Sequence, residues 1–361
     1  MMARKKLYII TFNFSTNFGT ALQQFSLYHY LKTQGYVVEV ADYRPESMKN
    51  RLYWTRLVRK SASSFVNNII VSPVLGIRKY KFFQFDKKYV TFSKRCNSVE
   101  ELAILPDAAA FICGSDQIWN PDITEGLDSG YFAEFPTHAR KISYAGSVGK
   151  DVLDKTLLKE LAKKVNQMDK ISVREEDLYK HLYPILKRPI TQVLDPVFLT
   201  SKGVYKEIMK PVKKRGYVLI YAMSNTDECV RRGKELAKRQ GLKTVFIKAI
   251  RKNGTDEIIY APSPDEFLGW MNQADYVVTS SFHGVAFSLI FEKQFYCVLS
   301  SEKRSSRLYS LLNLAGIPDR IVTNERGMID NVIDYNEVNP RIEAERSDSK
   351  TFLNQALNGI L

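Results

Sequence analysis

His283 is the residue whose type and position best suit it to chemistry. It follows the predicted strand Tyr276–Thr279 and the short connection Ser280-Ser281-Phe282, and with Gly284 it begins a predicted helix. A helix N-terminus favours anions, and a histidine there can act as an acid or a base near neutral pH. The alternative is a structural histidine bonded to a backbone carbonyl. The small and hydroxylic neighbours favour a functional role.

Arg174 is the second candidate, at the end of the predicted strand Ile171–Val173. A guanidinium at a strand end can point into a cleft and bind a carboxylate or a phosphate through two parallel hydrogen bonds. The alternative is a surface arginine paired with Glu175 or Asp177, and the sequence supports both interpretations equally.

Polar residues also follow the first predicted strand, Leu7–Phe12. Asn17 and Gly19 lie between this strand and its helix, and Gln23 lies near the start of that helix. The segment contains neither a Gly-x-Gly-x-x-Gly nor a Walker A pattern, so it indicates no particular nucleotide. Contacts to sugar hydroxyls and ordinary helix capping are both compatible with these residues.

A further polar loop follows the predicted strand Ala108–Cys113. Its carboxylate and amides are suited to sugar hydroxyls, and its indole is suited to the face of a sugar ring. The alternative is a turn in which the tryptophan fills the edge of a core. The residues concerned are Asp116, Gln117, Trp119 and Asn120.

A basic segment follows the predicted strand Gln294–Leu299. Its cations, Lys303, Arg304 and Arg307, could together hold an anion, although a basic helix start on the surface is the more ordinary interpretation. All of these candidate segments follow strands, which is where open parallel sheets bind their ligands.

The elements that must position these residues form two strand–helix series. A length of 361 residues favours two domains, and a Lys/Pro/Gly-rich linker at 202–216 precedes the second series. The alternation predicts an α/β protein with two Rossmann-like domains. We expect a first domain at 1–200 with a basic helical insertion at about 47–95, a second domain at 205–340, and a terminal helix at 341–361 that crosses back to the first domain.

The composition is that of a globular protein, with 45% hydrophobic and 25% charged residues. Four cysteines without a Cys-x-x-Cys pair suit reduced thiols in the cytoplasm, and the presence of only four histidines argues against a zinc cluster. No run of about 18 apolar residues occurs, so we expect no membrane span. The net charge of +14 is compatible with phosphorylated substrates, anionic lipid and nucleic acid.

Taken in order, the candidate segments resemble the polysaccharide pyruvyl transferase family. The resemblance implies transfer of pyruvate from phosphoenolpyruvate to a sugar of a surface polysaccharide such as a capsule or exopolysaccharide, commonly as a cyclic ketal that bridges two hydroxyls. It also implies a GT-B-like arrangement of two Rossmann-like domains with the active site in the interdomain cleft. Beyond phosphoenolpyruvate as co-substrate we expect no cofactor and no metal. The runs that carry the resemblance are Asn17-Phe-Gly-Thr-Ala-Leu-Gln23, Gly114-Ser-Asp-Gln-Ile-Trp-Asn-Pro121, Ser143-Tyr-Ala-Gly-Ser147, Ser172-Val-Arg-Glu175, Asp195-Pro196, Ser280-Ser-Phe-His-Gly284 and Arg307-Leu-Tyr-Ser-Leu-Leu312.

The resemblance also assigns roles to individual residues. His283 is the expected acid or base, and Arg174 is expected to hold the donor. Many relatives carry Arg-Leu before the histidine, where this chain has Ser281 and Phe282, so Arg304 or Arg307 is expected to replace the missing cation. The expected donor-binding residues in the second domain are Ser280, Ser281, Gly284, Arg304 and Arg307. The expected acceptor-binding residues in the first domain are Asn17, Gly19, Gln23, Asp116, Gln117, Trp119 and Asn120.

Other function classes remain open. A GT-B glycosyltransferase would use a nucleotide sugar, with Glu257 or Asp265 as the available ribose partners. The departure at Ser281 also suits a non-catalytic binding protein of polysaccharide assembly. Basic and aromatic residues interleave in the insertion, as binding to single-stranded nucleic acid or to an anionic membrane requires. Helices that pack their aromatics inward are the ordinary alternative. We favour peripheral contact with the inner membrane face, with a lipid-linked glycan acceptor and no nucleic-acid partner.

Overall fold

The computed structural model describes residues 5–46, 48, 62–150, 153–248, 254–299 and 306–360, with the side chains of the long helix at 62–89 described from residue 73 onward. The strands are β1 (Lys6–Ile10), β2 (Val37–Tyr43), β3 (Phe92–Cys96), β4 (Ala108–Cys113), β5 (Arg140–Ser143), β6 (Ser172–Val173), β7 (Thr191–Gln192), β8 (Tyr217–Tyr221), β9 (Lys243–Lys248), β10 (Glu257–Tyr260), β11 (Tyr276–Thr279), β12 (Gln294–Val298) and β13 (Ile321–Val322). The α-helices are α1 (Phe18–Thr33), α2 (Ala62–Tyr89), α3 (Val99–Ala103), α4 (Pro121–Thr124), α5 (Lys155–Val165), α6 (Glu176–Leu186), α7 (Lys202–Ile208), α8 (Thr226–Gln240), α9 (Pro264–Gln273), α10 (Phe282–Ile290), α11 (Ser306–Leu314) and α12 (Tyr335–Leu357).

The chain divides into two compact units, each of which contains a parallel sheet. The first unit comprises Met1–Trp54, Tyr89–Thr200 and Arg341–Leu361, and the second comprises Thr55–Lys88 and Ser201–Pro340. The predicted fold class, α/β with two Rossmann-like domains, is confirmed.

The sheet of the first unit has the strand order β3-β2-β1-β4-β5, with every neighbouring pair parallel. Successive residues of β1 face opposite sides, so Tyr8 and Ile10 join one core and Leu7 and Ile9 join the other. Because both faces are buried, polar side chains can gather only at the strand ends. The strand order reverses between β1 and β4, and the loops after these two strands therefore meet at one edge.

The terminal helix α12 completes the first unit. From Arg341 onward its residues belong to this unit, and Leu353 lies in the core beside β1. Polar contacts hold it in place. The backbone N–H of Leu194 donates to Ser349 Oγ at 2.9 Å, and Arg346 Nε donates to the carbonyl oxygen of Phe198 at 2.6 Å.

The sheet of the second unit has the order β10-β9-β8-β11-β12-β13, again parallel throughout. This is the usual Rossmann order, and it reverses between β8 and β11. The loops that follow Tyr221 and Thr279 therefore meet at the carboxyl edge of the second sheet.

Two segments differ from the sequence-based expectation, in three respects. The segment expected to be a helical insertion ends in strand β3, whose exposed Lys94 and Arg95 are typical of a charged edge strand. The described part of α2 up to Lys88 groups with the second unit rather than the first, and Lys81 of α2 forms an ion pair with Glu266 of α9 at 2.7 Å. The expected linker at 202–216 contains helix α7, for which Ser201 provides the N-cap.

All four cysteines are buried and none forms a disulfide, as expected for core thiols. Among the helices that the structure describes, none combines the length and the apolar character that a membrane-spanning segment needs.

Helix α2 has two distinct faces. On one face, Phe82 and Phe85 are buried. Next to them in sequence, Asp86 Oδ1 is buried without a hydrogen-bond partner among the described residues. Burial raises the pKa of the Asp86 carboxyl from its ordinary value of 3.8 to about 8. The Asp86 carboxyl therefore keeps its proton in the folded protein over a pH range in which it is ionised in the unfolded chain.

We expect the free energy of unfolding of the second unit to fall as the pH rises from about 4 to about 8. In this interval the Asp86 carboxyl is ionised in the unfolded chain but still protonated in the folded protein, which favours the unfolded chain. Asp86→Asn removes this contribution, so its melting temperature relative to wild type should rise across that interval and level off above it. Thermal unfolding at pH 5 and pH 9 measures the effect. Asp330→Asn, at a carboxylate whose side chain is 88% exposed, is the control. An Asp86→Asn difference that is the same at both pH values would contradict the prediction.

Candidate active site

The loops at the carboxyl edge of the first sheet are joined by side-chain hydrogen bonds. Thr20 Oγ1 donates to Asp116 Oδ2 at 2.6 Å, which connects the first turn of α1 to the loop after β4. Gln23 Nε2 donates to Thr11 Oγ1 at 2.9 Å, and Gln23 Oε1 accepts from the backbone N–H of Ser115 at 3.3 Å. Gln23 is fully buried and its amide is already engaged. It positions the two loops, which corrects the expectation that it contacts a sugar.

Gly114 allows the chain to turn sharply after β4. Its φ of +128° lies in a region that side chains disfavour, and a Cβ atom there would be 2.0 Å from the carbonyl oxygen of Tyr144. The close approach of these two backbones directs the following residues, Ser115 and Asp116, toward α1.

Of the expected acceptor residues at this edge, Asn17, Asp116 and Gln117 remain partly exposed. Asn17 Oδ1 caps α1 by accepting from the backbone N–H of Gly19 at 2.8 Å, and Asp116 Oδ1 accepts from the backbone N–H of Gln117 at 2.8 Å. Gly19 itself is buried. The expected acceptor residues that can reach a ligand are thus reduced to these three.

Trp119 and Asn120 belong to the core instead. The indole of Trp119 is fully buried, stacks on Phe132 with ring centroids 5.3 Å apart, and donates to the carbonyl oxygen of Tyr131 at 3.1 Å. It therefore has no face for a sugar ring, which corrects the sequence-based expectation. Asn120 caps α4 and donates to Gln117 Oε1 at 2.8 Å. Its position beside the stacked aromatics explains why it too is buried.

Arg174 is the centre of a buried charge network. Its guanidinium donates to Asp195 Oδ2 at 2.7 Å, to Ser147 Oγ at 2.9 Å, and to Glu175 Oε1 at 3.1 and 3.2 Å. Asp195 Oδ2 also accepts from Ser115 Oγ at 3.2 Å, which links the network to the loop after β4. The structure therefore corrects both interpretations of Arg174. It is neither a surface arginine nor an open clamp for a donor, because its hydrogen-bond donors engage the protein.

Negative charge is in excess at this edge. Burial alone would lower the pKa of Arg174, but the carboxylates of Glu175, Asp195 and Asp116 raise it above its ordinary value. Glu175 Oε2 is buried and accepts no hydrogen bond within the described part of the chain. Three carboxylates around one guanidinium disfavour an anionic ligand and suit hydroxyl donors.

The second sheet forms a different edge at the ends of β8 and β11. Ser280 Oγ accepts from the backbone N–H groups of Met223 and Ser224 at 3.2 Å each, which ties the two strand ends together. Thr279 Oγ1 donates to the carbonyl oxygen of Tyr221 at 2.6 Å and accepts from the backbone N–H of Ser281 at 3.0 Å. These hydroxyls build the turn that leads into α10.

His283 lies in the first turn of α10, directly after this turn. Ser281 Oγ caps the helix by accepting from the backbone N–H of Gly284 at 3.4 Å. Gly284 packs so closely on Thr279 that a Cβ atom would be 2.1 Å from Thr279 Oγ1. His283 is 8% exposed, and its ring stands edge-on to Phe282. The expected donor residues Ser280, Ser281 and Gly284 therefore fix the position of His283 at a helix N-terminus.

The structure groups the predicted residues by unit. Asn17, Gly19, Gln23, Asp116, Gln117 and Arg174 come together at the edge of the first sheet, and Ser280, Ser281, His283 and Gly284 come together at the edge of the second. Arg307 is half-buried in the first turn of α11. Arg304 lies outside the described residues.

The sequence analysis did not place Arg78, a half-buried arginine of α2 in the basic insertion, near Tyr221 at the end of β8, where its charge acts. A signal was present in the i, i+4, i+7 spacing of Arg78, Phe82 and Phe85, which places them on one helix face. Within the described residues, no group of three or more His, Cys, Asp or Glu side chains could hold a metal ion.

Comparison with known proteins identifies the family. The family model described as polysaccharide pyruvyl transferase matches residues 17–302, and the chain belongs to this family. Membership places it among transferases that pyruvylate polysaccharides. None of the curated proteins compared matches the sequence.

Solved structures resemble the chain over nearly its whole length. The MnaA–UDP co-structure from S. aureus covers 98% of this chain and 91% of its own, with a TM-score of 0.52 and 11% sequence identity. The UDP-N-acetylglucosamine 2-epimerase of Rickettsia bellii covers 99% and 97%, with a TM-score of 0.49 and 12% identity. Arabidopsis thaliana UGT89C1 complexed with UDP-L-rhamnose covers 98% and 94%, with a TM-score of 0.47 and 11% identity. At these identities, the first likeness supports the two-unit α/β fold alone.

We expect Arg174→Met to destabilise the first unit by about 3–5 kcal/mol, because it leaves the buried carboxylates of Asp195 and Glu175 without their cation. Lys180→Met is the matched control, since it removes an exposed, solvent-screened pair with Glu176 and should leave the free energy of unfolding nearly unchanged. Urea unfolding of the three proteins compares the free energies. Equal stability of the two variants would show that Arg174 is not a structural centre.

Proposed function

We propose that this member of the polysaccharide pyruvyl transferase family transfers pyruvate from phosphoenolpyruvate to two hydroxyls of a sugar in a surface-polysaccharide precursor, forming a cyclic ketal. The observation that carries the proposal is the position of His283, in the first turn of α10 and at the point where the second sheet reverses its strand order. Ligands of such sheets bind at this point, and the adjoining helix N-terminus favours an anion.

The reaction needs one proton delivered and two removed. In the proposal, His283 gives a proton to the methylene carbon of phosphoenolpyruvate, which becomes the methyl group of the product. The second carbon forms bonds to two sugar oxygens as its bond to the phosphate oxygen breaks. Of the two hydroxyl protons released, one restores His283 and the other leaves with the phosphate. Histidine side chains exchange protons near neutral pH, which suits this role.

The difference in charge between the two edges supports binding of the two substrates in different units. Carboxylates exceed cations around Arg174, and the partly exposed Asn17, Asp116 and Gln117 offer hydrogen-bond groups for sugar hydroxyls. An anionic donor is favoured at the helix N-terminus that carries His283. We therefore assign the acceptor to the first unit and the donor to the second, with Arg174 as a positioning residue.

We expect His283→Ala to lower turnover at least about 100-fold, the usual contribution of a positioned acid or base, while the fold is retained. The assay incubates the protein with phosphoenolpyruvate and a panel of glycosides, and it measures phosphate release and the mass of the acceptor. His138→Ala, at an exposed histidine of the first unit, is the control and should retain wild-type turnover. Near-wild-type turnover in His283→Ala would overturn the assignment of His283.

The same assay separates the rival functions. A gain of one pyruvate less one water on the acceptor supports ketal transfer. A gain of a whole hexose from a nucleotide sugar would identify a glycosyltransferase instead. Binding of phosphoenolpyruvate without any product would identify a non-catalytic binding protein.

The proposal includes a lipid-linked acceptor and peripheral contact with an anionic membrane. Its support is the outer face of α2, where Ile77, Tyr80 and Phe83 are 53%, 63% and 59% exposed. Their spacing of three residues aligns them on one side of the helix. The exposed Lys87 and Lys88 lie on the same helix. Bulky apolar side chains beside basic ones are typical of helices that lie on anionic lipid surfaces.

We expect the double variant Ile77→Ser/Phe83→Ser to bind vesicles at least about tenfold more weakly, since burying a large apolar side chain contributes roughly 1.5–3 kcal/mol and tenfold in affinity corresponds to about 1.4 kcal/mol. Co-sedimentation with phosphatidylcholine vesicles, with and without phosphatidylglycerol, provides the measurement. Tyr183→Ser/Ile185→Ser, at exposed apolar residues of α6, is the matched control. Equal binding to neutral and anionic vesicles, or equal loss in both variants, would count against the proposed contact.

A further inference from the structure

Helix α2 presents a cation on its buried face. Arg78 lies one turn before Phe82 and two turns before Phe85, and both phenylalanines are at most 3% exposed. The guanidinium carbon of Arg78 is 5.6 Å from the ring centroid of Phe82. Because residues at i, i+4 and i+7 share a helix face, the half-buried Arg78 points to the same side as the two aromatic rings.

This face of α2 is connected to the strand ends of the second sheet through α9. Lys81 Nζ lies 2.7 Å from Glu266 Oε2 of α9. The neighbouring residue of α9, Phe267, packs edge-on against Tyr221, with ring centroids 5.0 Å apart. Tyr221 is the last residue of β8. The ion pair and the ring contact therefore link α2, through α9, to the end of this strand.

The charge of Arg78 reaches the turn before His283. Burial raises the pKa of Tyr221 to about 12, against the lowering influence of the positive charge of Arg78 and of a hydrogen bond with the Ser281 side chain. Ser281 is the N-cap of α10, two residues before His283. Burial in turn lowers the pKa of Arg78 itself. A guanidinium and a helix N-terminus thus act on the same small region of the second unit.

We propose that Arg78 is the donor-binding cation of the second unit, contacting the carboxylate or the phosphate of phosphoenolpyruvate when the donor lies at the N-terminus of α10. The inference rests on the proposed function. It supplies the donor-binding arginine that is absent next to His283, where the sequence has Ser281 and Phe282. A guanidinium binds carboxylate and phosphate through paired hydrogen bonds, and it does so more strongly when partly withdrawn from water. The carboxylate excess around Arg174 makes the edge of the first sheet unsuitable for the same anion.

Arg78→Gln and Arg78→Met test the inference, and Arg78→Met preserves much of the packing against Phe82. We expect either variant to raise the Kd of phosphoenolpyruvate, measured by calorimetry, by about 10- to 100-fold, as expected for loss of a charged hydrogen-bond donor. The KM of the acceptor should stay unchanged, and Arg78→Lys should recover part of the affinity. Arg231→Gln removes an exposed arginine of α8, with a side chain 57% exposed, and should bind the donor as wild type does.

The outcomes separate this inference from the function on which it rests. If wild type does not bind phosphoenolpyruvate, the proposed function fails. If wild type binds and turns over the donor but folded Arg78→Gln or Arg78→Met binds it equally well, only the role of Arg78 fails. An equal rise in the acceptor KM would also overturn it, because a donor-binding residue acts on one substrate. Melting curves show which of Arg78→Gln and Arg78→Met is folded. Only a folded variant is used for the comparison.

Discussion

Burial of both faces of each parallel sheet is the constraint on which this structure depends. Helices cover the two sheets, so the central strands β1, β4, β8 and β11 consist almost entirely of buried apolar residues. Polar side chains can then be placed only where strands end, and the reversal of strand order brings two such ends together in each unit. The residues after β1 and β4, and those after β8 and β11, follow from this single requirement.

The two edges have opposite electrostatic character. The first holds Arg174 inside a set of carboxylates, and the second joins a helix N-terminus to the charge of Arg78. A buried charge is costly unless it is paired, so the carboxylates of the first edge require Arg174 for stability. A ligand with hydroxyls suits the first edge, and an anion suits the second.

Most of the local structure could be predicted because short-range patterns determine it. The limits of β4 and β11 agree with the predicted apolar runs, and His283 lies at the predicted helix start. Predictions of exposure were less successful. Trp119, in a polar loop, and Gln23, near a helix start, were expected to contact a ligand, but Trp119 stacks on Phe132 and Gln23 bonds to Thr11. A polar neighbourhood in sequence does not reveal which side chain faces inward.

The sequence by itself determined the strand–helix alternation, the family and the place of His283 at the start of a helix, because these depend on periodicity and on residues close together in the chain. Only the tertiary structure decided which side chains are partners. It buried Arg174 with Asp195, paired Lys81 of α2 with Glu266 of α9, and brought the charge of Arg78 to Tyr221. Such contacts join residues far apart in sequence, and their energies depend on burial and on the nearest opposite charge. The burial of a side chain and its distance to an opposite charge are defined only once the sheets have formed.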